Sequence, residues 1–95
     1  MVIAPFGQEE RDAALTKLPR WELRDDKLHR QFHFADFGHA FAFMTQVALL
    51  AEKMQHHPEW SNVYNRMTVD LTTHDAGGIS HLDVELAEQI DQLVP

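Results

Sequence analysis

Hydrophobic and polar positions along the chain alternate between a helical and a strand period, and the switches predict the order of elements. Glu9 to Lys17 reads as a first helix, with Glu9 and Glu10 in the opening turn, Ala14, Leu15 and Leu18 as a short apolar stripe, and Pro19 as its stop. Trp21–Leu23 predicts a short strand, Asp25–Asp26 a turn, and Leu28–Phe34 a second strand. In that second strand Leu28, Arg30, Phe32 and Phe34 share one face, while His29, Gln31 and His33 share the other and are expected to be solvated. Asp36 is placed to cap a long helix from Phe37 to about His56. Phe37, Ala40, Phe41, Met44, Val47, Ala48, Ala51 and Met54 recur at three and four and are expected to face the sheet. Phe43 and Leu50 widen that stripe beyond what one sheet face covers, which predicts a subunit contact.

Alternation resumes after Trp60. Val63, Met67, Val69 and Leu71 fall on one parity, and Tyr64, Arg66, Thr68, Asp70 and Thr72 on the other; Asn65 breaks the run, as a bulge or a division into two strands. Gly77–Gly78 supplies a turn, and Ser80 with Asp83 forms a capping box that opens a final helix through Leu93, with Leu82, Leu86, Ile90 and Leu93 as its stripe. The expected class is α+β: a small antiparallel sheet of three to four strands with helices packed on one face, in the order α-β-β-α-β(-β)-α.

Composition narrows the picture. Ninety-five residues make one small domain, 1–95, marginal in the surface it can bury, which favours an oligomer interface. Cysteine is absent, which removes disulfides, thiolate metal sites and any cysteine nucleophile. Fifteen acids against eight bases give a net charge of −7 with no basic cluster, which disfavours direct nucleic-acid binding. The N-terminal run Met1–Gly7 has no basic region or long apolar core, and no apolar run approaches membrane-spanning length; the expected address is the cytoplasm.

Candidate chemistry gathers in two places. Pro58 has no amide hydrogen and disfavours α geometry before it, so the long helix should stop near His56 and leave His57 extended. Glu52 lies four residues before His56 and is the candidate carboxylate to hold that imidazole. His74 emerges at the far end of the strand run, in Thr72-Thr73-His74-Asp75. Adjacent histidines before a proline also occur as a plain polar helix end, and Trp60 reads equally as a cavity wall or a core residue. Asp83 reads best as a helix cap.

The run Ala51–Asn65, containing Glu52, Gln55-His56-His57-Pro58-Glu59-Trp60, together with Leu71–Asp75 and Gly78-Ile79-Ser80 with Asp83, resembles the signature of the pterin-4a-carbinolamine dehydratases. Gln31–Phe37 and Ala40–Ala48 resemble the same family, and the likeness spans roughly Glu9 to Ile90. Departures are Gln55 where relatives often carry an acid or Asn, Ser61 where many carry an aromatic residue, and Gly77–Gly78. The resemblance implies dehydration of 4a-hydroxytetrahydropterin to quinonoid dihydropterin and water, after an aromatic amino acid hydroxylase has used its pterin. It implies His56, His57 and His74 as active-site residues, and Gln55, His56, His57, Thr72, Thr73, His74 and Asp75 lining the substrate. Glu52, Pro58, Trp60 and Asp83 are the expected supporting residues; the reaction calls for no metal and no redox cofactor. Relatives are dimers or dimers of dimers, and some also bind a helical protein partner.

Three other readings compete. A zinc site built on three histidines is disfavoured because His56 and His57 lack the helical spacing that brings two rings to one ion. A non-catalytic binding module, on the pattern of a transcription-factor dimerisation cofactor, would not depend on the histidines. A structural domain with incidental histidines would show no pterin-dependent change in melting temperature.

Overall fold

A computed structural model describes residues 2–94. The chain forms helix α1 (Gln8–Lys17), strands β1 (Glu22–Arg24) and β2 (Lys27–His33), the long helix α2 (Phe37–Met54), strands β3 (Glu59–Val63) and β4 (Arg66–Leu71), a single 3-10 turn over His74–Ala76, and helix α3 (His81–Asp91). The strands make one antiparallel sheet in the order β1-β2-β4-β3. Both hairpins turn on residues held at positive φ: Asp25 and Asp26 between β1 and β2, and Tyr64 between β3 and β4. The break at Asn65 is therefore a division into two strands, and its side chain bonds the Phe34 carbonyl at 3.0 Å.

Strand parity decides where the core lies. Leu28 pairs with Leu71 and Phe32 with Met67, while Arg30 pairs with Val69; these positions point to one face. Ala14 and Leu18 from the α1 segment, Phe43 and Val47 from α2, and Val84, Leu86, Ala87 and Ile90 from α3 cover that face, so all three helices lie on one side. Burying each large apolar side chain stabilises the fold by about 1.5–3 kcal/mol. Arg30, on the core face, is neutralised by Asp91 at the end of α3, which also accepts from Trp21 Nε1 at 2.8 Å. This clasp ties α3 to the sheet.

Two expectations change. The buried stripe of α2 is Ala40, Phe43, Val47 and Ala51, whereas Phe37, Phe41 and Ala48 are exposed. Phe43 sets the phase, because its ring packs against both Phe32 (4.7 Å between centroids) and Phe34 (5.0 Å). His29 is not solvated: it is buried on the other face of the sheet, where Nδ1 lies 2.7 Å from Asp70 Oδ1.

Candidate active site

Helix α2 ends at Met54 because Gln55 takes a left-handed conformation (φ 55°, ψ 39°). Its amide donates to the Ala51 and Glu52 carbonyls, and the His56 amide donates to Ala51 at 3.1 Å, which closes the last turn in a Schellman pattern. His56 and His57 are thus outside the helix. Pro58 then leads into β3.

On the other side of the site, β4 delivers Thr72 and Thr73 into the 3-10 turn. Thr73 forms an isolated bridge with Gly78, and Gly77, at φ 78°, allows the tight return. His74 opens the turn and projects at the rim. The first turn of α3 closes the site from behind.

Three imidazoles meet three separate carboxylates. His56 Nε2 lies 2.6 Å from Asp83 Oδ1, His57 Nε2 lies 2.9 Å from Glu52 Oε1, and His74 Nε2 lies 2.8 Å from Glu59 Oε2. An ionised carboxylate only accepts, so Nε2 carries the hydrogen in each ring. Nδ1 of each is left without a protein hydrogen bond among the described residues, as the nitrogen that can exchange a proton with a ligand.

The environments differ. The His56–Asp83 pair is buried, at 9% and 0% side-chain exposure, whereas the His57 and His74 side chains are 63% and 76% exposed. Asp83 is satisfied on every side, since its Oδ2 also accepts from Thr73 Oγ1 at 2.8 Å and from the Ser80 amide at 2.9 Å. Cap and histidine partner are one residue. Lys27 holds Glu59 Oε1 at 2.5 Å, and this bond, followed by that from His74, keeps the Glu59 carboxyl below its usual range. The same contact raises Lys27.

A cavity of about 370 Å³ lies between these elements, lined by Ile3, Gln55, His56, His57, Pro58, Glu59, Thr72, Thr73, His74, Asp75 and Leu82. It brings together every residue expected to line a substrate. Of the expected supporting residues, Pro58 is in the wall, Asp83 stands behind His56 and Glu52 behind His57. Glu52 was expected on His56; the left-handed Gln55 takes His56 off that helical face and leaves His57 to meet the carboxylate. Trp60 is neither wall nor core, being 36% exposed on the edge strand β3.

Ile3, Glu59 and Leu82 were missed as cavity residues. Glu59 is two residues from His57 beyond a proline, so extended-chain parity was the signal that could have found it. Ile3 lies near the anchored segment in which the Phe6 amide donates to Ile79 O at 2.7 Å, a contact no periodicity announces. Among the described residues, no three His, Asp or Glu side chains converge as metal ligands do, and no helix is long and apolar enough to cross a membrane.

Comparison with known proteins gives concordant matches. The family model for pterin 4 alpha carbinolamine dehydratase matches residues 4–93. A protein of Synechococcus sp. (strain WH7803), named "Putative pterin-4-alpha-carbinolamine dehydratase", is 59% identical over 86 residues, covering 90% of this chain and 92% of its own. A protein of the same name from Rhizorhabdus wittichii is 59% identical over 95 residues, covering 98% of each. The crystal structure of a transcriptional coactivator/pterin dehydratase from Brucella melitensis superposes with a TM-score of 0.92 at 41% identity, covering 96% of this chain and 99% of that one.

Proposed function

The chain belongs to the pterin-4a-carbinolamine dehydratase family, and we propose that it is a hydro-lyase that converts 4a-hydroxytetrahydropterin to quinonoid dihydropterin and water by histidine acid–base catalysis. The observation that carries this reading is the set of three imidazoles on one cavity, each with Nε2 engaged by its own carboxylate and Nδ1 free.

In the reaction a proton is delivered to the 4a-hydroxyl, the C4a–O bond breaks, and water leaves. The N5 lone pair forms the new C=N bond as N5 gives up its hydrogen to a base. One proton enters and one leaves, with no net change of oxidation state. His57 and His74, the two open rings, are the acid–base pair; each positioned proton transfer typically contributes about 10²- to 10⁴-fold. His56, fixed by Asp83, binds the ring and shares in proton transfer. A cavity of about 370 Å³ is at the small end of ligand sites, suited to a bicyclic ring. Asp75 has no ion-pair partner among the described residues, so its carboxylate is available to the amino and N3–H donor edge of the pterin. Gln55, Thr72 and Thr73 complete the wall.

The step places the protein in tetrahydropterin recycling after aromatic amino acid hydroxylation. The exposed Phe37 and Phe41, whose tilted rings lie 5.8 Å apart on α2, favour a homodimer or homotetramer. A helical protein partner is the other occupant of that face, suggested by the coactivator described for the Brucella melitensis structure. Titration with a 7,8-dihydropterin tests the reading: saturable binding that shifts the ring resonances of His57 and His74 supports it, and no binding at millimolar pterin overturns it.

A further inference from the structure

The contacts behind His74 continue past the cavity. Glu59, the first residue of β3, bonds His74 Nε2 through Oε2 and Lys27 Nζ through Oε1. Lys27 opens β2, directly after the left-handed Asp25–Asp26 turn. Across the sheet Glu59 is in register with Asp70, and Asp70 with His29, which occupies its Oδ1. The charged groups around Glu59 are therefore Lys27 from β2, Asp70 from β4 and His74 from the 3-10 turn.

His74 needs this support more than the buried His56 does. Its side chain is 76% exposed and starts a one-turn element, so packing alone leaves the ring free to change rotamer. A carboxylate that is itself anchored removes that freedom.

We propose that Glu59, held by Lys27, is the positioning residue for His74, fixing the ring so that Nδ1 meets the substrate. What His74 does there rests on the dehydratase reading; how it is held does not. Lys27 also keeps Glu59 ionised at lower pH, because its hydrogen bond is the leading cause of the depressed Glu59 carboxyl.

The test uses Glu59→Ala and Lys27→Met in the full chain, with two readouts. Scalar couplings across χ1 of His74 should report one rotamer in the wild type, averaging in E59A, and partial averaging in K27M. In turnover, E59A should lower kcat about 10- to 100-fold, with KM changed less than about twofold. The same substitution made on a His74→Ala background should change kcat no further. K27M should move the acid limb of kcat to higher pH. Unchanged His74 couplings in both variants, or an equal loss of kcat from E59A with and without His74, overturns the proposal. Averaged couplings in the two variants, together with a wild-type protein that shows no dehydration, would support the positioning and remove the dehydratase reading instead.

Discussion

His56 and Asp83, 27 residues apart, meet at 2.6 Å between Nε2 and Oδ1 in the interior, joining the chain just past α2 to the first turn of α3. The same carboxylate accepts from the Ser80 amide and the Thr73 hydroxyl, so one buried group caps a helix, closes the loop carrying His74 and orients an imidazole. Stability and chemistry are coupled there. Asp83→Ala should cost about 3–5 kcal/mol in urea denaturation, as removal of one partner from a buried pair does. Asp83→Asn keeps the volume but loses the charge-assisted bond, and kcat should fall about 100-fold.

The three histidines should separate by burial. His57→Ala and His74→Ala, at exposed positions, should change stability by no more than about 0.5 kcal/mol while lowering kcat by about 10²- to 10⁴-fold. His56→Ala leaves a buried carboxylate unpaired and should lose activity and about 3 kcal/mol of stability together. Thermal unfolding and turnover on the same samples check this split.

Asp75 lies on the cavity wall, and the carboxylates that hydrogen-bond the three imidazoles are Asp83, Glu52 and Glu59 instead. Asp75→Asn should therefore raise KM about tenfold, the equivalent of roughly 1.4 kcal/mol, with kcat nearly unchanged. Equal losses in kcat and kcat/KM would show instead that the carboxylate acts in the transition state.

Two carboxylates link stability to pH. Asp36 is lowered first by the His39 backbone N–H, at 2.8 Å from Oδ1, and then by the His39 side chain; Glu59 is lowered first by Lys27. A carboxyl group depressed in the folded state contributes stability above its unfolded value, and that contribution disappears as pH falls through the folded value. Stability should decline on the acid side, below about pH 5. Asp36→Ala and Glu59→Ala should each make that decline shallower, as read from urea midpoints across the acid range.

The order of elements and the core face of β2 and β4 were legible because those two strands alternate with little interruption, whereas Val63, expected on the parity of Met67, Val69 and Leu71, pairs with Arg66 on β3 and is 60% exposed. The phase of α2 was not. Apolar residues run nearly around that helix, and the choice between Phe41 and Phe43 is made only by the pocket Phe32 and Phe34 provide. The histidines were legible from their spacing around Pro58 and after the strand run. Their partners were less so, since Gln55 enters the left-handed region without a glycine to signal it, and the one-residue change of direction moves Glu52 from His56 to His57. Asp83 could be read as a cap from Ser80, but its second bond depends on α3 docking behind His56. Glu59 joins His74 only once β3 lies beside β4.

The rate at which 4a-hydroxytetrahydropterin loses water, followed by stopped-flow absorbance in buffer, with wild-type protein and with the His57→Ala/His74→Ala double variant, bears most directly on the three-imidazole cavity. Wild type should exceed the spontaneous rate by at least about 100-fold. The double variant should fall back to that rate with its fold intact, whereas a double variant as fast as wild type, or a wild type no faster than buffer, would contradict the account.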